Sequence, residues 1–306
     1  MMAKDSFRLL LPNLFIGLCK GSRLLHPYSK QFYQELGYRL FQFEPSFKIV
    51  DGRAHPDAVL RSEKVKHTLL VEWTEAASIH PRKQRQLSRY ARVTNRDLIN
   101  VLAVPPEEVK SFDVVLIVSD QTAPLFQQTL REQRWQFPLL IFRSECEEYE
   151  LRKVFNEFME SETNKFFTVG IKINRIPLHF LPFPLENTTE ADIVPFVIRH
   201  LLSLLVKGIK EFEVEDFCRG YVPMWKFIWW EKRHDLMKLT RQVLTALGRK
   251  PVGKELIRRV GSDPPKWGFV NPVESRKRIR SIKKVLEQFI NEIQGKQYQM
   301  ELELWD

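Results

Sequence analysis

Residues 55–74 read HPDAVLR, then SEKV, then KHTLLVEWT. Two apolar runs of strand length with a four-residue link between them favour antiparallel pairing, because parallel pairing would need a crossover of a dozen or more residues. The chain is expected to turn back at SEKV, with the runs paired antiparallel. This has a chemical consequence, since Asp57 opens the first run and Glu72 lies near the end of the second. Antiparallel pairing lays the start of one strand beside the end of the next, so the two carboxylates can sit side by side.

The same reading extends in both directions. In YSKQFYQELGY (28–38), Tyr28, Phe32 and Leu36 recur at helical spacing and Gly37 ends the helix. RLFQFEP puts Phe41 and Phe43 on one face with Gln42 opposite, a strand stopped by Pro45. PRKQRQLSRYARV (81–93) is polar, basic and free of breakers after its first residue, which suits a helix with Pro in its first turn. FDVVLIVS (112–119) and FPLLIFRS (137–144) have buried-strand length and composition, and APLFQQTLREQ (123–133) is a helix between them. The order helix, three strands, helix, strand, helix, strand predicts an α/β fold. Its mixed sheet is antiparallel at the start, parallel later and flanked by helices.

From Glu147 onward the sequence predicts a charged helix YELRKVFNEFMES, a strand-like KFFTVGIKI, and the Pro-containing IPLHFLPFPLENTTEAD, which holds a boundary. The domains expected are 1–185 and 186–306. The second is mainly helical. In HDLMKLTRQVLTALGRK, Leu236, Leu239, Val243 and Leu247 make one apolar stripe, and Gly248 is placed as a C-cap. PVGKELIRRVGSDPPKWGFVNP suits a hairpin or wing before a last basic amphipathic helix, so a helix-turn-helix or winged-helix-like unit is expected.

A chain of 306 residues can bury two ordinary cores, and 43% hydrophobic with 28% charged residues excludes disorder as its general state. Cys19, Cys146 and Cys218 are odd in number and far apart, with neither disulfide-framework nor zinc spacing, which fits a reducing cytoplasm. The apolar FRLLLPNLFIGLCKG is short and interrupted by Pro12, so it is expected as a buried first element and not as a targeting segment. IVPFVIRHLLSLLVKGI (193–209) carries Arg199 and His200 near its middle, and no membrane span is expected.

Charge is concentrated. Residues 241–284 hold thirteen Lys and Arg against Glu255, Asp263 and Glu274, a local excess of +10 that equals the net charge of the whole chain. A field of that sign suits a polyanion, with nucleic acid ahead of membrane because no amphipathic anchor accompanies it. Arg276, Lys277, Arg278, Arg280, Lys283 and Lys284 are the phosphate-contact candidates; the plainer alternative is a solvated basic face.

Two carboxylates converging from adjacent strands suit a hard divalent cation, Mg²⁺ or Mn²⁺, of the kind that promotes phosphodiester hydrolysis. Asp57 and Glu72 are the candidate ligands, and Glu35 on the preceding helix is placed to complete or orient the site. Read so, Glu35 in YQELGY, Pro56-Asp57 in AHPDAVL, Glu72-x-Thr74 in VEWT, and Gln86 with Tyr90 in QLSRY resemble the PD-(D/E)xK, restriction-endonuclease-like nucleases. The resemblance spans roughly residues 25–145 and includes the element order. LFQFEP before the Pro-Asp pair, with a helical domain following, is similar to the endonuclease subunit of heteromeric bacterial transposases. The resemblance implies a metal-dependent DNA endonuclease, with DNA and other subunits of a transposition or defence complex as partners.

The departure is Thr74, where the family has Lys. A hydroxyl hydrogen-bonds but brings no charge. Lys83 is the first candidate for a substitute cation, with Arg85 one turn into the same helix and Lys66 less well placed; Gln86 is assigned to the nucleophile or phosphate. The alternative is an inactive nuclease-like DNA-binding or assembly subunit. His55 is expected as a turn residue, and His67 and His80 lack metal spacing. MWKFIWW (224–230) is expected as core or protein interface ahead of a base-stacking platform.

Overall fold

Seven strands in the order β1-β4-β5-β6-β7-β8-β9 form the main sheet of the computed structural model. The structure describes residues 7–49, 52–75, 78–145, 148–261, 266–272, 275 and 278–303, the last eight by backbone alone. The strands are β1 (Tyr38–Phe43), β4 (Ala58–Ser62), β5 (His67–Thr74), β6 (Ser111–Ser119), β7 (Leu139–Glu145), β8 (Glu148–Phe155) and β9 (Ile171–Ile173). Between β1 and β4 lies a separate small hairpin, β2 (Phe47–Ile49) with β3 (Gly52–Ala54). β1, β4 and β5 pair antiparallel, β5, β6 and β7 parallel, and β7, β8 and β9 antiparallel again. The four-residue turn at 63–66, one residue later than the expected SEKV, makes the β4–β5 pair antiparallel, and the helical crossovers permit the parallel pairs.

The helices cover both faces. α2 (Pro81–Tyr90), α3 (Asn95–Leu102) and α4 (Ala123–Gln133) bury Leu87, Tyr90, Leu98, Phe126 and Leu130 in one cluster with Val59, Leu70, Leu116 and Val118 of the sheet. On the other face, α1 (Phe7–Cys19) packs against β1 and β5, and Phe7 meets Phe142 edge-on at 4.9 Å. The opening apolar run is thus a buried helix. Its Asn13 is fully buried and satisfied: the side-chain amide donates to Leu181 O at 2.8 Å, and the carbonyl oxygen accepts from the Leu181 N–H at 2.9 Å. Residues Lys30–Glu35 form a π-type turn closed by Gly37, whose φ of +77° suits the residue without a Cβ.

Two expectations between 147 and 173 are corrected. YELRKVFNEFMES forms β8 where a helix is expected, and the helix comes next, as α5 (Ser161–Val169), across residues expected as strand-like. β8 fills the open hydrogen-bonding edge of β7 over its whole length, and such pairing outweighs the weak helical preference of a charged segment. α5 starts where Glu160 accepts from the N–H groups of Glu162 and Thr163.

The chain divides into two compact units, one of residues 1–181 with 226–229, the other of 182–225 with 230–306. The second is built from α6 (Glu190–Lys207), α7 (Val214–Tyr221), α8 (Trp230–Arg249), α9 (Pro251–Leu256) and the helix Ile279–Glu303. Its sheet has the order β10-β12-β11, from β10 (Glu211–Phe212), β11 (Ile257–Val260) and β12 (Lys266–Phe269). The hairpin expected between 251 and 272 is β11 with β12. α6 begins with a reciprocal capping box between Thr189 and Asp192 and ends at Gly208. From MWKFIWW, Met224, Trp225 and Ile228 are buried, while Trp230 is 58% exposed.

Candidate active site

Ala58 of β4 is paired with Val71 of β5, so the next position outward sets Asp57 against Glu72. Directly opposed residues of an antiparallel pair project to the same face, with Cα atoms about 4.5–5.5 Å apart. Val59 and Leu70, one step inward, belong to the cluster under α2, α3 and α4, so Asp57 and Glu72 face α2.

α2 runs over this end of the sheet because His80 caps it, its Nδ1 accepting from the Arg82 N–H at 3.3 Å, with Pro81 in the first turn. Positions 83, 86, 87 and 90 then share one face. Leu87 anchors that face in the core, and the other three converge on Glu72. Lys83 Nζ and Gln86 Nε2 both donate to Oε1, the latter at 3.0 Å, and the Tyr90 hydroxyl donates to Oε2 at 2.5 Å. Gln86 also donates to Tyr90 Oη at 3.0 Å. Glu72 is 4% exposed, and this donor set, with one full cation, is what makes a buried carboxylate tolerable. Asp57, at the rim, accepts from the Trp73 N–H at 2.7 Å through Oδ2.

The electrostatics follow from this arrangement. Asp57 is held well above the ordinary carboxylate range by desolvation first and by repulsion from Glu72 second, while Lys83 and the Trp73 N–H pull the other way. Glu44 adds a further negative charge, and its N–H donates to Asp57 O at 2.9 Å. Tyr90 is likewise pushed well up, by burial and then by the two acids. Two acidic groups and one ammonium thus share a partly dry corner whose surroundings favour the neutral form of Asp57.

The donor set fits a hard divalent cation. Mg²⁺ is commonly held by one or two carboxylates, with substrate phosphates and waters completing the octahedron. Asp57 and Glu72 supply that number, and the repulsion that lifts Asp57 is what a cation relieves. Among the described residues, no group of three or more His, Cys, Asp or Glu side chains forms a metal cluster.

The structure brings Asp57, Glu72, Lys83 and Gln86 together. It does not bring Glu35 to them. Tyr38 pairs with Ser62 and Phe43 with Ala58, so Glu35, exposed just ahead of β1, lies at the far end of β4, roughly 16 Å along the strand at about 3.3 Å per residue. Thr74, two residues beyond Glu72, shares its face. His55 enters through its carbonyl, which accepts from Gln86 at 3.5 Å. Tyr90 is the participant that sequence reasoning left without a role; its signal was the i, i+4 spacing from Gln86, next to Leu87 on the inward face of an otherwise largely polar helix.

His67 belongs elsewhere. It is fully buried at the opposite end of β5, its Nδ1 2.6 Å from the Tyr38 hydroxyl, and Tyr38 is 2.8 Å from Thr163 Oγ1. Asp113 Oδ2 lies 3.1 Å from His67 Nε2 but off the hydrogen-bond axis, and accepts from the Met159 N–H at 2.9 Å. This network ties β1, β5, β6 and α5 together.

In the other unit, Arg278, Arg280, Lys283 and Lys284 are exposed on the helix Ile279–Glu303 or just before it, while Ile282, Leu286 and Phe289 face inward. Arg278 pairs with Glu255 at 3.5 Å and Lys283 with Glu287 at 3.8 Å. Arg276 and Lys277 lie outside the described residues.

Neither a curated protein nor a solved structure matches the chain. A family model described as the MJECL32 domain matches residues 9–181, which end where the first compact unit's main segment ends and include the whole carboxylate corner. That match covers more than half of the 306 residues, and the chain belongs to the MJECL32 domain family.

Proposed function

We propose that the chain is a metal-dependent DNA endonuclease whose chemistry resides at Asp57 and Glu72. The observation that carries this reading is the opposed carboxylate pair with a lysine from the following helix inserted against it. A bound Mg²⁺ or Mn²⁺ would polarise the phosphate and make water a nucleophile near neutral pH. The chain's own residues do the positioning. Asp57 and Glu72 hold the cation. Lys83 supplies the positive charge that Thr74 lacks, at the point where negative charge develops on the phosphate. Gln86 and Tyr90 lock Glu72 by donating to different oxygens, and Gln86 is close enough to the rim to orient water or phosphate.

The resemblance to PD-(D/E)xK nucleases supports the same reading, since the antiparallel strands carrying Asp57 and Glu72 precede a basic helix and parallel strands as in that superfamily. The three-stranded β10-β12-β11 sheet beside α7 and α8 supports a winged-helix-like second domain that holds DNA, within a transposition or defence complex. A second reading, a catalytically silent binding or assembly subunit, is favoured by one observation: Lys83, Gln86 and Tyr90 already satisfy Glu72.

A cleavage assay on supercoiled DNA separates the two. The wild-type chain should nick or linearise the plasmid with Mg²⁺ or Mn²⁺ and not with EDTA. Asp57→Asn and Glu72→Gln should each lower the rate by more than about 100-fold, beyond what losing an outer-sphere partner costs. If the wild type does not cleave, and its melting temperature does not rise with added Mn²⁺, the nuclease reading is rejected and the silent one stands.

A further inference from the structure

The second unit contains a recess of about 480 Å³ where the C-terminal half of α8 meets the β11–β12 hairpin. Arg241, Arg249, Lys254, Arg258 and Arg259 line it together with Trp267, which is 7% exposed. Among the described residues none of these five cations makes an ion pair, whereas their neighbours Lys250, Lys266 and Arg278 pair with Glu292, Glu213 and Glu255. Five like charges gathered around a concavity repel one another, and an anion placed among them relieves that repulsion.

The shape selects the kind of anion. Gly248 on α8 borders the recess beside the Trp267 ring: a Cβ added there would lie 4.0 Å from Trp267 Cζ3, so a larger side chain at this position fills the space next to the indole. Buried Ile257 and exposed Thr245 complete the lining, in which the five cationic residues are exposed. The volume is that of a small-ligand site. Arginines beside the small exposed part of an indole match a phosphate carried on a flat apolar ring, since guanidinium groups grip phosphate bidentately and the indole offers the ring an apolar contact. No exposed large apolar side chain lines the rim, which disfavours a membrane surface.

We propose that this recess is a binding site for a nucleotide unit, its phosphate held by the arginine and lysine side chains and its base laid against Trp267. The inference does not rest on the nuclease reading, and it uses residues other than the basic run at 276–284. The nucleotide can come from a free mononucleotide or from the end of a single strand, and the test distinguishes them.

The experiment is calorimetric and anisotropy titration of the full chain in EDTA, so that cleavage plays no part. The probes are adenosine 5′-monophosphate and a short 5′-phosphorylated single-stranded oligonucleotide. At least one probe should bind; binding of the mononucleotide identifies a free-nucleotide site, and binding of the oligonucleotide alone identifies a strand site. The double substitution Arg258→Glu with Arg259→Glu should weaken binding more than tenfold. Gly248→Leu, which fills the recess while leaving every charge in place, should do the same; Thr245→Phe serves if that variant does not fold. Failure of both probes to bind the wild type overturns the proposal. So does unchanged affinity in a folded recess-filling variant, which would reduce the site to a general positive field.

Discussion

Removing the ammonium from the carboxylate corner tests the geometry most directly. Lys83→Met keeps the aliphatic stem and deletes the charge. The Lys83 side chain is 16% exposed and that of Glu72 5%, so the pair is largely dry. Deleting one partner of a buried pair costs about 3–5 kcal/mol, because the other charge is left without compensation. Gln86 and Tyr90 would still donate to Glu72, which puts the expected loss at the lower end, about 3 kcal/mol. For a unit of this size that corresponds to a fall in melting temperature of about 6–12 °C, at roughly 2–4 °C per kcal/mol. The loss should shrink as pH is lowered, since an unpaired Glu72 escapes its penalty by taking up a proton. Thr74 shares the face of Glu72 one strand repeat away, so Thr74→Lys in the Lys83→Met background should return at least half of the lost stability. In the wild type the same change should be neutral or harmful, because two ammonium groups would then compete for one corner. The assay is scanning calorimetry of wild type, both single variants and the double variant between pH 5 and 8. A Lys83→Met chain that melts within 2 °C of wild type at pH 8 would show that Lys83 is a solvated surface residue, and would remove the substitute-cation argument with it.

Two further outcomes are expected. Asp57 has a folded-state pKa raised above its unfolded value, so the folded chain holds that proton more tightly and stability falls as pH climbs from the unfolded value through the folded one. Asp57→Asn should therefore be more stable than wild type at pH 7 and equal to it near pH 3, by about 1.4 kcal/mol for every tenfold difference in proton affinity; urea denaturation across that range checks the sign, and a variant less stable at pH 7 contradicts it. Neutralising Arg278, Arg280, Lys283 and Lys284 to Gln should flatten the salt dependence of duplex binding by about 0.9 in log–log slope per lost phosphate contact, read by anisotropy against KCl. An unchanged slope would mark this cluster as a solvated face or a protein contact.

Much of this architecture was legible in the linear chain, and the reasons are local. The short link between the two runs favours antiparallel pairing, which was legible, but the register was not: the turn falls at residues 63–66, one residue later than SEKV, and pairing Ser62 with His67 is what sets Asp57 against Glu72. APLFQQTLREQ occupies the helix 123–133 residue for residue, and FDVVLIVS and FPLLIFRS became neighbouring parallel strands, because their periodicity and length admit few alternatives. Other features depended on what each segment meets in space. YELRKVFNEF has no strong preference of its own and became a strand because β7 offered it an unpaired edge. Glu35 was drawn to the far end of β4 by the register of β1, which pairs Tyr38 with Ser62 and cannot be read from spacing. Lys83 reaches Glu72 only because Leu87 anchors α2 over the sheet at the angle that turns positions 83, 86 and 90 inward. The five cations beside Trp267 come from two helices, α8 and α9, and a hairpin, and folding alone gathers them about one recess. Local sequence determines what adjacent residues can do to one another through backbone geometry; where distant side chains meet is set by the register and tilt at which whole elements pack, and that is a property of the complete core.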